Sequence, residues 1–108
     1  MEEDKIELQT AAMQIILHAG DARAAAEDAV KTALEGNVDG ARSKIEDATK
    51  LIAQAHSAQT EIIQKEAGGH DYPYTILFAH AQDTMMTIDL QIRMSSQFID
   101  VIERSSSC

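Results

Sequence analysis

The sequence predicts an all-α protein folded as an antiparallel three-helix bundle. Three observations predict it. Alanine, glutamate, glutamine and lysine are abundant, and Pro73 is the one proline, so helix propensity dominates along most of the chain. Apolar residues recur at helical spacing. Two glycine-containing breaks divide that pattern into three long segments.

The first segment is placed at Glu3–Leu34, with Ala12, Ile15, Ile16, Ala19, Ala22, Ala26, Ala29 and Ala33 on one face. Gly20 lowers local helix stability by ~1 kcal/mol relative to alanine and suggests a bend or a tight crossing. Glu35-Gly36-Asn37 then supplies a glycine C-cap followed by an asparagine N-cap. The second helix, Val38–Glu66, presents Ala41, Ile45, Ala48, Ile52, Ala55, Gln59 and Ile62. Ala67-Gly68-Gly69-His70-Asp71 makes the second break, and Pro73 suits the first helical position of a third helix, Pro73–Glu103. Each helix spans roughly 45 Å at 1.5 Å per residue, and short loops make sequential neighbours antiparallel. The chain reads as one domain over 1–108, with 104–108 a frayed tail.

The third helix carries more apolar surface than one bundle needs. On a wheel of ~100° per residue, Phe78, Gln82, Asp89, Arg93, Ser96, Asp100 and Arg104 fall in one band. The remaining sector of roughly 200° holds Ile76, Leu77, His80, Ala81, Thr84, Ile88, Leu90, Ile92, Met94, Phe98, Ile99, Val101 and Ile102. Such width implies packing against other copies of the chain as well as within it. Asp83 is the one charge in this sector, aligned with Ile76, Leu90, Met94 and Val101. A carboxylate so placed calls for a metal, a donor, or a site kept wet. His80 lies one turn before it, at i, i+3, so acid and imidazole form a compact pair. An imidazole near neutral pH serves as base, ligand or nucleophile. His18, His56 and His70 read as boundary or surface residues, and Met13, Met85, Met86 and Met94 as gap-filling core or interface.

Composition narrows the function. Eighteen acidic against nine basic residues give a formal charge of −9, which disfavours nucleic acid and anionic membrane surfaces and leaves a basic protein partner open. No window approaches the ~20 apolar residues of a membrane span, and the acidic opening Met1-Glu2-Glu3-Asp4 is unlike a signal peptide. A cytoplasmic protein is expected. Cys108, the one cysteine, neither staples the fold nor completes a metal site. No Walker loop, GxGxxG, paired CxxC or HExxH is present.

The stretch Pro73-Tyr74-Thr75-Ile76-Leu77-Phe78-Ala79-His80-Ala81-Gln82-Asp83-Thr84-Met85-Met86-Thr87 resembles the active-site helix of the lactose/cellobiose-class enzyme IIA proteins of the phosphoenolpyruvate-dependent sugar phosphotransferase system. Ala19-Gly20-Asp21-Ala22-Arg23, Glu35-Gly36-Asn37 and Ala55-His56-Ser57-Ala58-Gln59-Thr60 resemble the same family's first helix, first turn and second helix. The resemblance implies a homotrimer with the third helices at the shared axis. It implies that His80 takes phosphate from the histidine-containing phosphocarrier protein and passes it to a cysteine of a sugar-specific IIB component. It also implies that Asp83 meets its symmetry mates around a divalent metal, Mg²⁺, at the axis. The family often places a second histidine directly after that aspartate, and Thr84 stands there in this chain; its hydroxyl can donate but carries no charge.

Three rival readings bear on the same residues. A structural or interaction trimer needs no chemistry from His80. A small helical enzyme such as a chorismate mutase wants converging arginines or lysines, and a di-iron bundle wants paired Glu-x-x-His sequences.

Overall fold

The computed structural model describes residues 2–107, the last by its backbone only. It contains three helices, α1 (Glu2–Leu34), α2 (Val38–Ala67) and α3 (Ile76–Ser107), joined by two short connections. α1 packs closely on both α2 and α3, which touch each other least. The result is a narrow rod of 60 × 20 × 18 Å.

One spacing builds the whole core. α1 buries Leu8, Ala12, Ile15, Ala19, Ala22, Ala26, Ala29 and Ala33, steps that alternate between four and three residues. α2 continues the rule with Ala41, Ala48, Ile52, Ala55 and Ile62, and half-buried Ile45 and Gln59 fill the steps between them. On α3 the buried row is Ala81, Met85, Ile88, Ile92, Ser95 and Ile99. A repeat averaging 3.5 residues is the seam of a left-handed coil, and alanines along it let the backbones come close. Larger side chains fill what remains: Ile15, Met85, Ile88 and Ile99 are the largest fully buried.

The first turn forms as expected. Gly36 takes φ +96°, a left-handed value that favours glycine. Asn37 then caps α2, its Oδ1 accepting from the Gly40 amide at 2.9 Å. A side chain at 40 would collide with that cap, since a Cβ there comes within 2.4 Å of the Asn37 amide nitrogen. The second turn uses Gly69 at φ +108°.

The third helix departs from expectation at both ends. It starts at Ile76 instead of Pro73. Thr75 is the reason: its Oγ1 accepts from the Phe78 amide at 3.2 Å, the position of an N-cap, so Pro73 stays in the connecting segment. At the far end helical structure continues through Ser107. Residues 104–107 of the expected tail are therefore helical, and Cys108 lies outside the described residues.

Gly20 also departs from expectation. It sits within the continuous α1, is exposed, and a Cβ added there would meet nothing within 4 Å. It therefore makes no tight crossing; the close approach belongs to Ala19, Ala22 and Ala26 on the opposite, buried face. Gly20→Ala should accordingly raise the unfolding free energy by about 1 kcal/mol, read by urea denaturation at neutral pH.

Exposed ion pairs tie the helices at their edges. Arg42 of α2 reaches Asp100 and Glu103 of α3 at 3.0 and 2.7 Å, and Lys44 bonds Asp28 and Thr32 of α1. At the other end Glu7 accepts from Lys65 with one oxygen and from the Tyr72 hydroxyl, at 2.7 Å, with the other. The Lys65 bond, then the Tyr72 bond, hold the Glu7 carboxyl below the ordinary carboxylate value of 4.5. A lowered carboxylate pKa adds stability that is present above 4.5 and lost as pH falls through the lowered value. Solvent screens the pair, so the effect is modest. Acid titration of the melting temperature should thus be flatter for Glu7→Gln than for wild type below the ordinary carboxylate range; superimposable curves would show that the bonds contribute nothing to acid sensitivity.

Candidate functional site

Thr75 sets the phase of α3 and so decides where the next side chains point. From that cap, His80 falls in the second turn and Asp83 one turn later. The row Ala81, Met85, Ile88, Ile92, Ser95 and Ile99 faces α1 and α2. Roughly 140° around the helix lies a second row, left open by the chain's own packing. Ile76 is 79% exposed there, Leu90 60% and Val101 60%, with Met94 and Phe98 beside them. Both His80 and Asp83 belong to this open side and are exposed.

Two expectations are corrected by this geometry. Asp83 aligns with Ile76, Leu90, Met94 and Val101 as the wheel required, but the whole row is exposed, so within one chain its carboxylate is solvated and not buried. The compact acid–imidazole pair is likewise not a bonded one: no hydrogen bond links His80 to Asp83, and His80 has no hydrogen-bond partner among the described residues. Three-residue spacing brings them onto one face without making the contact.

The other histidines sit differently. His70 bonds Asp4 at 2.8 Å and stacks against Tyr72 at 4.3 Å between ring centroids. His18 and His56 are half-buried on α1 and α2. Thr84, one turn after His80, is half-buried. No group of three His, Cys, Asp or Glu residues able to hold a metal exists within one chain among the described residues. A metal on Asp83 therefore requires carboxylates from more than one copy.

The expected residues omit Tyr72 and Thr75, which hold the start of α3. Tyr72 is buried against Leu8 and Ile62, and burial, followed by its bond to Glu7, raises its phenol pKa above the usual 10.0. Thr75 is itself a favoured N-cap residue type, a signal that Pro73 masked; the Glu7–Tyr72 pair, 65 residues apart, carries none. Tyr72 and Phe78 also line a cavity of about 220 Å³ with Leu8, Ile62, Pro73 and Gln82. His80 does not line it.

His80 is held open on one helix of an all-α chain, with an acid one turn on, and does not line the cavity described above. Residues 10–103 match the family model described as "PTS system, Lactose/Cellobiose specific IIA subunit". The lichenan-specific phosphotransferase enzyme IIA component of Bacillus subtilis is 39% identical over 98 residues, which span 91% of this chain and 89% of that protein. The cellobiose-specific enzyme IIA of Bacillus anthracis superposes with a TM-score of 0.88 at 32% identity, covering 93% of this chain and 92% of its own. IIA(Chitobiose) of the Escherichia coli phosphotransferase system, solved in complex with HPr, superposes at 0.81 with 27% identity, over 92% and 96% of the two chains. The chain belongs to the lactose/cellobiose-specific IIA subunits of the sugar phosphotransferase system. It is a phosphotransferase-system component, and no helix among the described residues is long and apolar enough to cross a membrane.

Proposed function

We propose that this IIA subunit carries its phosphoryl group on His80, on the cytoplasmic side of sugar uptake. The observation that carries the reading is the contrast among the histidines: His80 is exposed and unbonded on the open side of α3, whereas His70 is engaged by Asp4 and His18 and His56 are half-buried. Its position in the stretch Pro73–Thr87 supports the same assignment.

The donor is the histidine phosphocarrier HPr, and the acceptor is a cysteine of the sugar-specific IIB component. A lone pair on one nitrogen of neutral His80 forms the new N–P bond while the N–P bond of the donor's phosphohistidine breaks. With its ring protonated, the donor imidazole leaves neutral, keeping the bonding pair. His80 retains its own proton on the other nitrogen, so no proton is gained or lost overall. In the second transfer the acceptor thiolate forms an S–P bond as the N–P bond of His80 breaks, and the ring, keeping the bonding pair and its own proton, is regenerated neutral. Such transfers depend mainly on in-line positioning and on groups that steady the equatorial oxygens. Thr84 offers a neutral hydroxyl donor one turn from His80, where an imidazole would have offered charge. Incubation with phosphoenolpyruvate, enzyme I and HPr should place acid-labile phosphate on His80 and none on His80→Gln; labelling of His80→Gln to the wild-type extent would sink the assignment.

The working form is a homotrimer with the α3 row Ile76, Asp83, Leu90, Met94 and Val101 at the axis and His80, about 60° round the helix, at its edge. Exposed Ile76, Leu90, Met94 and Val101 support it, because contiguous apolar surface of this kind marks an interface. Three copies of Asp83 then meet at the axis. Their carboxylate oxygens suit a hard cation such as Mg²⁺, which when bound supplies charge neutralisation. Light scattering should report three chains per particle, and chelation should weaken the wild-type assembly. Asp83→Leu should stay assembled in chelator, since apolar packing can replace clustered buried charge. Equal chelator sensitivity in both proteins would remove Asp83 from the metal.

A further inference from the structure

The buried row that holds α3 begins at Ala81, one residue after His80. From Ile76 to His80 no side chain is buried, and only Phe78 and Ala79 are half-buried. Ala81 itself offers little area to grip, because an alanine carries a single methyl group. Helix ends with few covering contacts open readily. The turn that bears His80 therefore needs a hold other than the core row.

That hold starts on α1. Phe78 packs against the cluster of Tyr72, Leu8 and Ile62. Tyr72 is buried, three residues before the Thr75 cap, and its hydroxyl donates to Glu7 at 2.7 Å. The second oxygen of Glu7 takes Lys65 of α2. On the outside the His70 ring, bonded to Asp4, lies against Tyr72. One carboxylate thus joins α1, α2 and the segment that enters α3. Leu8, the next residue, opens the buried row of α1, so Glu7 is rooted where that helix becomes fixed.

We propose that Glu7, acting through Tyr72, is a positioning residue for His80, an inference that rests on the phosphoryl-carrier reading above. Its reach to the imidazole is indirect: Glu7 holds the Tyr72 hydroxyl, the cluster around Tyr72 holds Phe78, and Phe78 holds the turn that carries His80. A donor protein docks on the folded surface as a body, so its phosphorus meets His80 in line only if that turn keeps its place. A displacement of about 1 Å is enough to cost up to a hundredfold in rate. A small phosphoryl donor in solution is free to follow the ring and makes no such demand.

The test is Tyr72→Phe, which deletes the hydroxyl and keeps the ring. Glu7 retains Lys65, and its side chain is 33% exposed, so no buried group is orphaned and the fold survives. Transfer from phosphorylated HPr should lose about three- to tenfold in kcat with KM unchanged. The Ala79 and His80 amides should exchange faster with solvent, while phosphorylation by phosphoramidate, a small donor, should keep its wild-type rate. Glu7→Ala should reproduce these effects, and the double variant should be no worse than either single one. Glu7→Gln, which keeps an oxygen for the hydroxyl, should restore most of the rate. An unchanged kcat in Tyr72→Phe would overturn the proposal. So would equal losses with both donors, the mark of a partly unfolded protein, or a Glu7→Gln variant as slow as Glu7→Ala, which would make the charge and not the bond the agent. If wild-type His80 takes phosphate from neither donor, the carrier reading itself fails and this proposal with it.

Discussion

Close approach of α1 to its two neighbours is the constraint on which the structure depends. Five alanines, from Ala19 to Ala33, line its buried face almost without interruption. Side chains that short lose little entropy on burial, but each also contributes little apolar area. The bundle compensates by length, running the same seam through rod-like helices, and by a few large residues from α3, chiefly Met85, Ile88 and Ile99. A thin core of this kind leaves much of α3 uncovered, and the site lies on that uncovered part.

The division of α3 gives the site its chemistry. The row from Ala81 to Ile99 holds the helix in place, so the side chains between its members are free to serve another purpose. His80 gains a fixed backbone without being enclosed. On the proposed reading, an imidazole that meets one partner to receive a group and another to release it needs access more than it needs a pocket, and the exposure of His80 suits that use. Thr75 and Tyr72 fix the helix start, which makes the connection between α2 and α3 part of the site's support.

Much of this was legible in the sequence, for identifiable reasons. The core seams are local repeats, so Ala12, Ile15, Ala48 and Ile88 declared themselves by spacing. Gly36 and Asn37 marked their turn because left-handed backbone and side-chain capping have few alternatives. Pro73 misled because two start signals competed and Thr75, with its hydroxyl on the Phe78 amide, prevailed. The wheel placed Asp83 in its row correctly but could not say which side of a doubly apolar helix turns inward within one chain, where that row is exposed. Gly20 read as a bend or a crossing because a helical glycine signals lost stability without saying which face it occupies. The ties from Glu7 to Tyr72 and from Arg42 to Asp100 join residues far apart in the chain, where no periodicity reports on them.

The two rows of α3 also separate what a substitution can damage. A polar residue in place of Met85 or Ile88 injures the fold, and the affected chain is lost to the cell's proteases before it meets another. A polar residue in place of Leu90 or Val101 leaves a sound monomer with a faulty face. In the proposed trimer such a chain would enter particles alongside normal copies and disturb them in proportion to its abundance. Inheritance would then follow geometry: lesions on the inner row recessive, lesions on the outer row dominant.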